Sequence, residues 1–269
     1  MLFKKLINLL KILGVDLRQF YFSTINLPKF YKDHRAFSKA ASANDYGFPI
    51  KKYYPMLTDH LDSSGVATGH YFHQDLFVAR RIFQADPVKH IDIGSRIDGF
   101  IAHLAVFRSV DVGDIRPLTT STENIKFIQC DIMDTSIPSR VGIYDSVSCL
   151  HSIEHFGLGR YGDPIMVDGH EIALKNLGKL VATGGTLYVS VPIGDQRVEF
   201  NGHRVFQTDT ISNFLADEFA LEHFSFIDDE GEFHEHVSFE ERQVAENFGC
   251  NFGCGIYEFK KHKSANEVN

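Results

Sequence analysis

From residue 88 onward, short apolar runs alternate with stretches in which apolar residues recur at helical spacing. That alternation is the strongest constraint on the fold, because strands separated by crossover helices build a parallel sheet with helices packed on its faces. The runs expected as strands are 89–93, 110–114, 125–129, 144–149 and 185–191, followed by two more near 220–228 and 253–260. Helices are expected over 169–180, stopped at Thr183-Gly184-Gly185, and over about 208–217. The expected fold class is α/β: a Rossmann-like, seven-stranded, mostly parallel sheet with helices on both faces, an antiparallel last strand and an N-terminal helical arm.

The first strand leads into Asp92-Ile93-Gly94-Ser95-Arg96-Ile97-Asp98-Gly99-Phe100, a strand, a glycine turn and a helix start. Glycine lets the backbone turn sharply and approach a ligand with no side chain in the way. A glycine pair after a strand is also an ordinary strand-to-helix turn, so the stretch acquires meaning only from its context.

In open parallel sheets ligands bind at the carboxyl ends of the strands, where strand order reverses. The second strand ends at Asp114, roughly twenty residues beyond Gly94, where an acid can accept from both ribose hydroxyls. The third ends at Asp131, placed to accept from an adenine amino group. Each acid alone is most simply the start of a turn; two acids and a glycine turn converging at one sheet end describe an adenosine-shaped site. The helix expected ahead of the first strand, ending before Asp86-Pro87, would bring Tyr71, His73 and Gln74 near the same mouth, although capping and packing explain these residues almost as well.

Taken together, Asp92-x-Gly94-(x)4-Gly99, Asp114, Asp131, the strand Tyr144–Leu150 with His151 and Glu154-His155 after it, and Gly184-Gly185-Thr186-Leu187-Tyr188-Val189-Ser190-Val191-Pro192 resemble the class I S-adenosylmethionine-dependent methyltransferases over about residues 88–260. The resemblance implies S-adenosyl-L-methionine as cofactor, held by Asp92, Gly94, Gly99, Asp114, Ile115, Asp131 and Leu150; Tyr71 and Gln74 are placed by their helix to cover it, and Arg96 sets a cation where its carboxylate would sit. One departure stands out: Arg96 occupies the place of a middle glycine in that family's turn. The strings Gly69–Asp75, His155–Asp163 and Phe200–Phe206 look like a subgroup associated with bacterial surface-polysaccharide loci. They imply O-methylation of a capsule or lipopolysaccharide sugar or its phosphorylated precursor.

Transfer to a hydroxyl requires alignment of acceptor and methyl, and removal of the acceptor's proton. A histidine titrates in the right range for that removal. His155 and His203 are the candidate bases, with Glu154 to orient an imidazole; His151, Arg160 and Arg204 are candidates for the acceptor side, Arg197 a further cation. Histidines and arginines at strand ends also serve simply to satisfy backbone groups. His234-Glu235-His236 with Glu232 offers metal-ligating types but no third ligand at diagnostic spacing, and no metal is expected there. Two rival functions share the same features: a dinucleotide-dependent oxidoreductase, and a non-catalytic, methyltransferase-like binding protein.

Charge narrows the partners. The net charge of −8 argues against a general nucleic-acid binder, yet residues 1–40 carry eight Lys/Arg against Asp16 and Asp33. Within them Met1–Val15 reads as a basic amphipathic helix, too short to span a bilayer and without a cleavage site. It is suited to peripheral docking on an anionic membrane surface, or to packing on the domain or on a second subunit in a homodimer. The expected organisation is 1–69 as this helix and an irregular arm rich in proline and turn residues, 70–260 as the catalytic domain and 261–269 as a polar tail. Cys130, Cys149, Cys250 and Cys254 form neither a disulfide framework nor a paired zinc motif, which is consistent with a reducing, cytoplasmic setting.

Overall fold

The structure, a computed structural model, describes residues 10–44 and 47–263. It divides into two compact units, one ending at Val66 and the other beginning at Ala67. Most of the expected basic helix Met1–Val15 and the end of the polar tail lie outside the described residues.

The first unit contains α1, Leu17–Ala43, with no buried residue. Asp16 caps it, its side chain accepting from the N–H groups of Arg18 (2.8 Å) and Gln19 (3.0 Å). This corrects the irregular arm expected to follow the Met1–Val15 helix within residues 1–69. Pro28 sits inside the helix, where it removes one backbone hydrogen bond without ending the run, and irregular chain is confined to the stretch after residue 44.

The second unit opens with α2, His70–Ala85, which turns Phe77, Val78, Ala79 and Ile82 inward and ends at Asp86 in the left-handed region (φ 41°), just ahead of Pro87. Then follow β1 (His90–Ile93), a wide turn over Ile97–Ile101 leading into the short α3 (Ala102–Ala105), β2 (Val110–Asp114), β3 (Ile125–Gln129), α4 (Ile137–Val141), β4 (Tyr144–Leu150), α5 (Gly169–Leu180) and β5 (Val181–Ile193). The chain continues through β6 (Arg197–Glu199), β7 (His203–Val205), α6 (Thr210–Leu215), β8 (Phe219–Ile227), β9 (Phe233–His234), α7 (Glu241–Ala245) and β10 (Gly253–Lys261).

Among the described residues eight strands form one sheet in the order β3-β2-β1-β4-β5-β10-β8-β9. β1 pairs in parallel with β2 on one side and β4 on the other, so strand order reverses there. β10 runs antiparallel between β5 and β8, as expected of the last long strand. The eighth strand was not anticipated. Asp228 accepts from the N–H groups of Glu230 (3.1 Å) and Glu232 (2.9 Å), and the turn it closes at Gly231 (φ 86°) sends the chain back as β9 along β8. β6 and β7 form a separate two-stranded ribbon.

Period-two alternation distributes the core over both faces. Along β5, Leu187, Val189 and Val191 join one apolar cluster with α5 residues Ala173, Leu174 and Leu177, whereas Tyr188 joins the opposite cluster with Phe77 and Ile82 of α2. Each such buried side chain contributes about 1.5–3 kcal/mol, so two clusters on a shared sheet hold the strand ends in fixed register. The helix α5 covers Gly169–Leu180, the expected span, and β5 begins at once with Val181, so the glycines are not its cap. Gly184 and Gly185 instead shape the entry into β5, where a Cβ on Gly185 would lie 2.8 Å from the Asp145 carbonyl.

Candidate active site

A cavity of about 640 Å³ opens at the carboxyl ends of the parallel strands, the place the strand order dictates. Its floor is the turn after β1. Gly94 adopts φ 83° and donates to the Gly113 carbonyl at 2.8 Å, and a Cβ there would come within 2.8 Å of Ser152 Oγ, so only glycine fits. Asp92 does not reach the cavity. It is fully buried and accepts from Ser95 N–H (3.0 Å), Ser95 Oγ (2.9 Å) and Ser148 Oγ (2.5 Å), holding the turn from below, and burial pushes its carboxyl up to about 7. Gly99 likewise packs against Asp75 and does not line the cavity; its Cβ would stand 3.1 Å from Asp75 Oδ2.

Arg96 lines the mouth, and its guanidinium forks onto Asp98 at 3.0 and 2.7 Å, both side chains exposed. Arg96 thus carries its own counter-ion. Asp114 and Ile115 line the cavity from the end of β2. Asp114 also accepts from Arg116 through the backbone N–H (2.8 Å), Nε (3.0 Å) and Nη2 (2.6 Å), a pairing not foreseen in the sequence. Asp131 lines the wall after β3, with Oδ1 taken by the Met133 N–H at 2.9 Å and Oδ2 left as an acceptor; burial raises its pKa. Leu150 and Tyr71 line the cavity as well. Gln74 is buried behind it, bridging the Ser190 hydroxyl and Asp75.

Beyond β4 the polar groups concentrate. His151 stands at φ 47°, a left-handed conformation costly for a residue with a Cβ, and its N–H is pinned to the Ser190 carbonyl and hydroxyl, both at 3.0 Å. Its Nδ1 meets Glu154 Oε1 at 2.7 Å, with both side chains buried. Burial opposes a charged His151, but Cys254 and Glu154 outweigh it and raise its pKa; the same partner lowers that of Glu154 against burial. His155 Nδ1 donates to the Gly202 carbonyl at 2.7 Å, which leaves the Nε2 lone pair available, and burial lowers its pKa. Arg160 donates to that carbonyl at 2.9 Å. His203 lines the same mouth, its ring 5.0 Å from Phe252 and its Nε2 3.4 Å from Glu199 without hydrogen-bond geometry.

Arg204 is the clear misassignment. Its guanidinium is buried and donates to the carbonyls of Phe156 (2.7 Å) and Val167 (3.1 Å), so it ties loops together and does not meet an acceptor. His234 and His236 also face away from each other's task, paired with Asp228 (2.7 Å) and Glu258 (3.3 Å).

A loop over 157–163 walls one side. Asp163 accepts from the N–H groups of Gly157 (2.9 Å), Gly159 (3.1 Å) and Tyr161 (3.1 Å), and the Tyr161 ring receives the Arg116 guanidinium at 4.6 Å and that of Arg160 at 5.2 Å. Arg116 and Tyr161 were missed because neither has a motif position; their proximity arises only when the end of β2 meets the loop after β4.

Known proteins bear on the fold. A family model described as "Caenorhabditis protein of unknown function, DUF268" matches residues 124–246, less than half the chain. No curated protein matches significantly. Among solved structures, the N-methyltransferase NodS from Bradyrhizobium japonicum WM9 superposes on 74% of this chain and 100% of its own, at 14% identity and a TM-score of 0.50. The [4+2]-cyclase SpnF covers 81% of this chain and 86% of its own, at 12% identity and a TM-score of 0.51. A methyltransferase and a cyclase share this architecture, so the fold of the chain is that of the Rossmann-like methyltransferases and the chemistry must be argued from the site.

Proposed function

We propose that this chain transfers a methyl group from S-adenosyl-L-methionine to a hydroxyl oxygen of a small acceptor. The observation that carries the reading is the convergence of Gly94, Asp114 and Asp131 on one cavity of about 640 Å³ at the reversal of strand order. The residues suit the cofactor: the Gly94 turn lines the cavity, Asp114 retains acceptor capacity beside Arg116 for ribose hydroxyls, and Asp131 Oδ2 suits an adenine amino group.

The cofactor, when bound, supplies an electrophilic methyl on a sulfonium whose sulfur keeps the electron pair as the carbon–sulfur bond breaks. The chain's own task is to place the acceptor oxygen in line and take its proton. His155 is the favoured base, since its Nδ1 proton is committed to Gly202 and burial keeps the ring neutral. His203 is the second candidate at the same mouth, and Glu154 orients His151. Arg160, beside His155, suits an anionic acceptor such as a phosphorylated sugar, which agrees with the surface-polysaccharide precursor implied by the sequence strings. In this reading the protein works in the cytoplasm, with residues 1–15 as a docking segment.

Calorimetric titration with S-adenosylhomocysteine tests the reading. The expected outcome is that the full chain binds it and does not bind NAD. Asp114→Ala, which removes two charge-assisted hydrogen bonds worth about 1.5–3 kcal/mol each, weakens binding by at least about tenfold. Absence of binding, or equal affinity in a folded Asp114→Ala protein, refutes it.

A further inference from the structure

Away from the acids at the ends of β2 and β3, three side chains from distant parts of the chain come together at the cavity's edge: His70 at the first residue of α2, His151 just past β4 and Cys254 in β10. One ligand atom from each lies within 4.8 Å of the other two. The His70 and His151 rings stack at 5.2 Å, and Cys254 is fully buried.

Two further observations single this cluster out. His151 Nε2 is buried and without a hydrogen-bond partner, its side chain 5% exposed, and Glu154 Oε2 next to it is in the same condition. An unpaired buried polar atom costs about 1–3 kcal/mol, a penalty that a ligand on that atom removes. The opposite nitrogen, Nδ1, is held by Glu154 Oε1 at 2.7 Å. A carboxylate on one imidazole nitrogen that aims the other is the usual outer support of a metal-bound histidine. The backbone of His151 is fixed in its left-handed conformation by Ser190, so the direction of the ring is set before any ligand arrives.

We propose that His70, His151 Nε2 and Cys254 Sγ bind a zinc-class divalent cation whose fourth position faces the cavity. Two imidazoles and one thiol favour zinc over the oxygen-seeking cations magnesium and calcium. His70 and His151 line the cavity while Cys254 lies behind it, so the ligands approach from one side and leave the other open. Tetrahedral bonds of about 2.0–2.3 Å set donors about 3.4–3.8 Å apart, so the three donors, within 4.8 Å of one another, close by at most about 1–1.4 Å per pair on binding. Binding releases the thiol proton of Cys254 and the proton on His151 Nε2 to solvent as metal–sulfur and metal–nitrogen bonds form, with no change of oxidation state. The site shares His151, Glu154 and the cavity with the methyl-transfer reading, but cobalt binding is read without cofactor or acceptor, so the failure of one is distinguishable from the failure of the other.

Cobalt(II) titration of the untagged, chelator-treated full chain tests the site. One cobalt per chain is expected, with the intense visible bands of tetrahedral coordination and a thiolate-to-cobalt charge-transfer band. Cys254→Ser loses the charge-transfer band, and His70→Ala, near the chain surface and tolerable to the fold, weakens binding at least about tenfold by loss of one ligand. Absence of the charge-transfer band in the parent, or spectra unchanged in both variants, overturns the proposal. Should Cys254→Ser not fold, unchanged cobalt affinity in His70→Ala overturns it alone.

Discussion

Replacing Asp92 by asparagine isolates the cost of an acid that the fold buries completely. Its carboxyl is the anchor of the Gly94 turn, accepting from Ser95 and Ser148, while Ser148 is itself shared with His90 Nε2 at 3.1 Å. Burial raises its pKa from 3.8 to about 7. A raised folded-state pKa means that the contribution to stability is fully present below the unfolded value and is lost as pH rises through the folded one. A difference of about three units corresponds to about 4 kcal/mol in total, of which about 2–3 kcal/mol falls between about pH 5 and about pH 8. That is a large share of the roughly 5–15 kcal/mol that holds a domain folded. Asparagine keeps one acceptor and the same shape but cannot ionise. Urea unfolding of parent and Asp92→Asn at both pH values is the assay: other groups titrate equally in the two proteins, so the difference between their stabilities reads Asp92 alone. The variant gains about 2–3 kcal/mol on the parent on going from the lower pH to the higher. Parallel stability curves would show that Asp92 is ionised in the fold at little cost, and would refute the reasoning.

Because burial holds the His155 pKa below its usual 6.5, the acid limb of kcat/KM on a methyl acceptor falls below that pH, and His155→Gln abolishes the limb; a limb above it points to another base. Gly157→Ala sets a Cβ 2.0 Å from the Met166 carbonyl at φ 78°, and loses several kcal/mol, on the order of 3 or more, in thermal or urea unfolding, where an unchanged midpoint contradicts the packing. Arg204→Met strips donors from the Phe156 and Val167 carbonyls and costs about 1–3 kcal/mol of stability per group left unpaired; a variant of parental stability with a raised acceptor KM would restore the acceptor role that the structure denies it.

The sheet was legible because its strands are apolar runs bounded by turn residues, and the acids at the ends of β2 and β3 because strand order fixes where carboxyl ends converge. The arm was misread because Pro28 reads as a helix stop, whereas here it removes one bond from a helix of 27 residues that continues on both sides. β9 escaped notice because two residues have no periodicity to read. Arg204 was placed in the site by its position beside His203, yet its partners are backbone carbonyls, which leave no mark in the sequence. His70 and Cys254 are 184 positions apart in the chain, and no spacing rule connects an α2 start to the last strand.

The three amides gathered by Asp163 have a further consequence. A wall whose loop is cross-tied by one carboxylate, with the Tyr161 ring in contact with two guanidinium groups, is ordered before any ligand arrives. The entropy of fixing that stretch is charged to folding and not to association, so a ligand meeting this side of the cavity forfeits only its own freedom. Association there should resemble the filling of a mould, with rates governed by encounter and with no slow closing step on this side.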